Sequence, residues 1–126
     1  MNINPNYDYK VTVLNCVDGD SFDVEVDLGF LITMKQRVHV WGMTSRELHS
    51  TDTTEKAAGL ADRNFAQALL PIGTATLMRS HKANGHTEKD GHWFAEIVLP
   101  DGRDFREVML ASGHGQPSFG DGAKPT

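Results

Sequence analysis

Cysteine is nearly absent from this chain: Cys16 stands alone among 126 residues, which excludes an internal disulfide and any multi-cysteine zinc site. It sits in an apolar run, where a buried, inert thiol is expected rather than a nucleophile. Long apolar runs are missing too. No stretch approaches the roughly 18 residues a membrane span needs, and the polar start Met1–Lys10 lacks the apolar centre of a signal peptide. The expectation is a cytoplasmic protein with no membrane partner. Positive charge is also scarce, with 12 Lys and Arg against 17 Asp and Glu and a formal net charge of −5. Proteins that grip nucleic acid by its backbone usually carry a basic face, so the overall charge does not favour such a partner. The apolar fraction is 39%, modest but well short of a disordered composition, and the length suits one domain with a real core.

What is present first is a period of two. Val11, Val13 and Val17 alternate with Thr12 and Cys16. Phe22, Val24, Val26 and Leu28 alternate with Asp23, Glu25 and Asp27. Ile32, Met34, Val38 and Val40 alternate with Thr33, Lys35, Arg37 and His39. These predict a three-strand meander turning at Asp18-Gly19 and near Gly29. Residues 42–53 read as a polar loop. Asp52 and Glu55 resemble a capping box that starts a helix near Thr53. Ala57, Leu60, Ala61, Phe65, Ala68 and Leu69 give that helix one apolar stripe, and Pro71-Ile72-Gly73 stops it. Thr74–Ser80 predicts a fourth strand. A long turn over Lys82–Gly91 follows, and Trp93, Ala95, Ile97 and Leu99 mark a fifth strand. Phe105, Val108 and Met109 predict a short helix ending at Gly113, with an irregular tail from His114. The sum is an α+β, mainly β fold: a five-stranded OB-fold barrel with a helix between strands 3 and 4 and a short helix after strand 5, in a single domain over 9–117 with irregular tails at 1–8 and 118–126.

The densest chemistry is Val17-Asp18-Gly19-Asp20-Ser21-Phe22, with Arg37 and then Glu47 downstream. Two carboxylates on a tight turn before a strand suit a hard cation, although Asp-Gly-Asp also serves as plain hairpin punctuation. Arg37 suits a two-pronged grip on phosphate, or is a solvated strand residue. Glu47 sits in a loop where it could take a proton from water. The six histidines show no metal-ligand spacing, so scattered solvated imidazoles are expected. Alternation places Trp93 with Ala95 and Ile97, which favours core packing over base stacking.

Together these residues resemble the staphylococcal-nuclease (thermonuclease) family. The likeness runs through Val17–Ser21, Arg37–Met43 and Glu47, then the Glu88–Ile97 and Phe105–His114 segments. The phage-borne members are especially similar over Asp23–Phe30 and Met34–Arg37. The resemblance implies an OB barrel and Ca²⁺-assisted (or Mg²⁺-assisted) hydrolysis of DNA or RNA phosphodiesters by a monomer. It implies that Asp20 ligates the metal, Asp18 supports its water shell, Ser45 offers a carbonyl, Arg37 binds phosphate and Glu47 activates water. Four positions depart from the family pattern, one of them Arg106, where the last helix is expected to carry a buried asparagine. Thr44 stands where a second metal aspartate is expected, Arg46 where a proline precedes the glutamate, and His92 where a second catalytic arginine is expected. His92 or Arg46 would stand in for that arginine, with Lys89 as a further phosphate contact. The rival expectation is a catalytically inactive binding module with a host protein or nucleic acid as partner.

Overall fold

The structure is a computed structural model that describes residues 7–81 and 93–118. Strands β1 (Asp8–Asp18), β2 (Ser21–Asp27), β3 (Thr33–Val40), β5 (Ala75–His81) and β6 (Trp93–Ile97) close a barrel in the order β1-β2-β3-β6-β5. All pairs are antiparallel except β3 with β6, where Val38 faces Trp93 and Val40 faces Ala95 in parallel register. This is the expected mainly-β OB-type barrel. Helix α1 (Thr53–Leu69) follows β3, and α2 (Phe105–Ala111) follows β6. A small second sheet pairs β4 (Met43–Thr44) with β7 (Gln116–Pro117), tying the predicted loop to the predicted irregular tail.

The core follows the alternation. Phe22, Val24 and Val26 of β2 point inward against Val11, Val13, Val38 and Val40, while Asp23 and Glu25 line the outer face. Phe105 of α2 closes one end, packing edge-on against Phe22 at 5.2 Å between ring centroids. Both helices begin on an aspartate whose carboxylate accepts first-turn N–H groups: Asp52 from Thr54 at 2.8 Å, and Asp104 from Arg106 at 2.8 Å. Among the described residues no helix is long and apolar enough to cross a membrane.

Three details differ from the sequence reading. In β1 the register shifts between Val13 and Asn15, and again between Cys16 and Asp18, so Val17, aligned with the inward valines in the sequence, stays half-exposed, while Cys16 is buried as expected. Burial pushes the Cys16 thiol up to about 12, which leaves it un-ionised and inert. In α1 the buried residues are Gly59, Asp62 and Ala66, whereas Ala57, Leu60, Ala61 and Ala68 of the predicted stripe are exposed. Phe65 and Leu69 of the stripe do pack against the core beside Ala66, while the first half of the helix presents Gly59 and the paired Asp62 instead, for reasons that lie in the site below. Two more predicted inward residues are exposed: Ile32, in the turn before β3, and Met34 of β3, which has no strand on its other side because β6 pairs only with Val38–Val40.

Candidate functional site

The acidic turn after β1 is held in place by close packing. A Cβ on Gly19 would stand 2.8 Å from Ser45 Cβ and 3.0 Å from Asp62 Cβ, so only glycine lets the turn, the 44–47 loop and α1 meet there. Gly59 does the same one turn earlier on α1, where a Cβ would lie 2.7 Å from the Glu47 carbonyl carbon and oxygen. Two glycines thus bring Asp18, Asp20, Ser45 and Glu47 to one mouth of the barrel.

Asp20 lies at the centre. Its Oδ1 accepts from Ser21 Oγ at 3.1 Å. Its Oδ2 receives two long contacts at 3.4 Å, from the Thr44 hydroxyl and from the Ser45 N–H. Ser21 is itself buried and bridges to His39 Nδ1 at 3.2 Å, which fixes the start of β2. The Asp18 carboxyl is held above its ordinary range, first by burial and then by the negative charges of Asp20 and Glu47. Three carboxylates therefore share one electrostatic neighbourhood.

The donors at this mouth are all oxygen, the chemistry a hard cation selects. Among the described residues no three His, Cys, Asp or Glu side chains stand as a preformed metal cage. Thr44 supplies a lone pair but no charge, and its hydroxyl is turned to Asp20 and to the Ser45 carbonyl, each at 3.4 Å.

Two of the described arginines, Arg37 and Arg46, have carboxylate partners of their own. Arg37 makes a two-pronged pair with Asp23, directly opposite it in register, with Nε–Oδ1 at 2.7 Å and Nη2–Oδ2 at 3.1 Å. Arg46 is bound to Asp62 three times, through its backbone N–H at 2.9 Å, Nε at 3.0 Å and Nη2 at 2.5 Å. Lys89 and His92 lie outside the described residues. Arg106, on α2, donates to the Gly42 carbonyl at 2.9 Å and pins the turn after β3.

Asp62 and His114 are the residues the sequence reading missed. Asp62 is fully buried, and it also accepts from His114 Nδ1 at 2.9 Å, while the His114 ring stacks on Phe65 at 4.4 Å. Burial works against ionising Asp62, yet the Arg46 and His114 hydrogen bonds hold its carboxyl below the ordinary range. Arg46, Asp62 and His114 line a polar cavity of about 300 Å³ together with Thr44 and Ser45. The expected scattering of solvated histidines is corrected in three cases. His39 bonds Ser21, His81 pairs with Glu96 at 2.5 Å and stacks on Trp41, and His114 is placed as above. His49 is exposed, as expected, and His86 is outside the described residues. The signal for Asp62 was in the sequence: a carboxylate between Ala61 and Phe65 in a helix that has to cover a barrel. No protein-family model and no curated protein matches the chain.

Proposed function

We propose that the mouth formed by Asp18, Asp20, Ser45 and Glu47 is a cation-assisted phosphodiester-hydrolysing site of the staphylococcal-nuclease type, with weakened activity toward DNA or RNA. The observation that carries this reading is the convergence of Asp18, Asp20 and Glu47, close enough that the latter two charges raise the Asp18 carboxyl. Such a cluster repels a phosphate until a positive charge neutralises it. A bound Ca²⁺ or Mg²⁺ would supply that neutralisation and offset charge developing on the phosphate. Asp20 would hold the ion, Asp18 and Thr44 would orient its waters, and the Ser45 carbonyl would complete the set. Glu47, exposed on its loop, would take the proton from the attacking water.

Arg37 would bind the phosphate by exchanging Asp23 for it. An exposed pair of this kind is worth at most about 1 kcal/mol, roughly a fivefold penalty in affinity, so the pairing weakens the role without abolishing it. Arg46 is bound three times to a buried partner, which makes it a poorer phosphate ligand and leaves His92 as the stand-in for the absent arginine. Protonated imidazole partly replaces guanidinium, so cleavage would rise as pH falls toward about 6.5.

A second reading is supported by a separate observation. Arg37 and Arg46 both serve carboxylates of the chain itself, and the net charge is −5. In that reading the barrel is a catalytically inactive binding module with a protein partner. The deciding experiment measures cleavage of single-stranded DNA from about pH 5 to about pH 9, with Ca²⁺, Mg²⁺ or chelator. It compares wild type, Glu47→Gln and the double variant Thr44→Asp with His92→Arg. Cation-dependent cleavage lost in Glu47→Gln supports the first reading. Chelator-resistant background in every sample, the double variant included, ends it.

A further inference from the structure

The opposite end of the barrel carries a different surface. Beyond β2 and β3 the hairpin continues to a tip at Gly29-Phe30-Leu31-Ile32, closed by Ile32 N–H donating to the Gly29 carbonyl at 2.9 Å and Leu28 N–H to the Ile32 carbonyl at 2.9 Å. Phe30 has φ 54° and Leu31 φ 64°. Two successive left-handed residues inside such a bond are the geometry of a type I′ turn, where Asn-Gly is the favoured pair because a Cβ crowds the following carbonyl. Here that unfavourable backbone presents two large apolar side chains that nothing covers: Phe30 is 97% exposed and Leu31 103%, flanked by Ile32 at 56% and Met34 at 45%. A contiguous apolar patch of this kind marks an interaction surface. At the foot of the hairpin a cavity of about 360 Å³ opens between strands, walled by Tyr7, Tyr9, Val26, Met34, Met78 and Trp93.

We propose that this end is a homodimer interface, in which Phe30 and Leu31 of one copy seat in the apolar cavity of the other and the exchange is reciprocal across a two-fold axis. Knob and hole lie at the same end of one chain, which favours a closed, self-complementary pairing over an open filament. The apolar side chains exposed from Leu28 to Met34, with Tyr7, present on the order of 800 Å² per copy, the share each partner gives to a standard interface. The charges around the rim are neutralised within the chain. Arg79 pairs with Asp8 at 2.7 Å, Lys35 faces Glu25 and Lys10 faces Asp27 in register. Two copies therefore meet here without opposing like-charged faces, despite the net charge of −5. No cation lies between Leu28 and Met34 to favour an anionic lipid surface.

Sedimentation equilibrium of the full chain from about 1 to about 100 µM tests the proposal, with wild type beside the double variant Phe30→Asn with Leu31→Gly. Asn-Gly suits the turn, so this variant keeps the fold, which its unfolding midpoint at low concentration verifies. Wild type is expected to show a concentration-dependent dimer, and the variant to dissociate at least roughly thirty-fold more readily, as removal of interface anchors does. A wild type that stays monomeric throughout overturns the proposal. So does a variant that dimerises as well as wild type, and so does a monomeric wild type that floats with zwitterionic vesicles, which would assign the tip to lipid.

Discussion

The two ends of the barrel solve opposite problems with the same strands. At the acidic end three separate segments are drawn together: Gly19 and Gly59 permit the approach, and Asp62 ties Arg46 and His114 to α1. At the apolar end the strands overrun the barrel, the backbone adopts a costly turn, and large side chains stand in the open. The difference separates stability from function. Interactions at the acidic end bind the chain to itself, so substitutions there should change folding. The exposed tip contributes little to the monomer and gains value only with a second surface.

The largest expected effect of breaking this contrast is at Asp62. Asp62→Ala removes the shared acceptor of Arg46 and His114 and should cost about 2–3 kcal/mol in a urea titration, the scale of lost charged hydrogen bonds. The pH dependence has a definite sign. The Asp62 carboxyl is held below its ordinary range, so the stability it contributes is complete above the unfolded value near ~3.9 and is lost as pH falls through the lower folded value. The gap between wild type and variant should stay constant through neutral pH and close only in strong acid.

Gly59→Ala comes next, and two effects compete. Helix propensity favours alanine by about 1 kcal/mol. Against it, the new methyl would lie 2.7 Å from the Glu47 backbone, which cannot yield without moving the loop. Overpacking against a fixed neighbour costs about 1–3 kcal/mol, so the variant should be less stable, and Glu47 should be displaced. A variant more stable than wild type would show that the loop is not pinned to α1.

How far all this was legible in the sequence follows the same division. The barrel was readable because Phe22, Val24 and Val26 alternate with acids, a pattern set by local pleating. Both helix starts were readable from the residues that cap them or from their apolar spacing. The face of α1 was legible only in its second half, where Phe65 and Leu69 pack on the core as expected; in the first half apolar spacing pointed to Leu60 and Ala61, whereas Gly59 and the paired Asp62 are buried. Asp62 becomes compatible with burial only once Arg46 and His114, 16 and 52 residues away, arrive beside it. The β1 bulge that leaves Val17 half-exposed and the exposure of Met34 are likewise settled by partners on other strands. At the site, Asp18, Asp20, Ser45 and Glu47 were named from the sequence and do converge, while the Asp23 pairing of Arg37 needed the β2–β3 register.

That pairing gives a smaller, sharper test. Asp23→Ala removes an exposed partner and should cost less than about 1 kcal/mol of stability. If Arg37 serves a phosphate, the same change should raise cation-dependent affinity for single-stranded DNA by up to about fivefold. An unchanged affinity would place Arg37 outside the site and favour the binding-module reading.

The smallest effect is expected at Asp18, and its sign is opposite to that at Asp62. Burial and the charges of Asp20 and Glu47 raise its carboxyl, so the ionised form disfavours the fold. Its contribution is favourable below the unfolded value and is lost as pH rises through the folded one. Asp18→Asn should therefore raise the melting temperature slightly at neutral pH, and the gain should fade as pH falls into the range where wild-type Asp18 is itself neutral. Calcium provides the control. In wild type a cation at the mouth would relieve the same repulsion and raise the melting temperature, and Asp18→Asn, with one charge fewer to neutralise, should respond less. Equal responses in the two proteins would mean that the carboxylates repel one another without serving a cation, and the acidic end would then be a structural knot rather than a site.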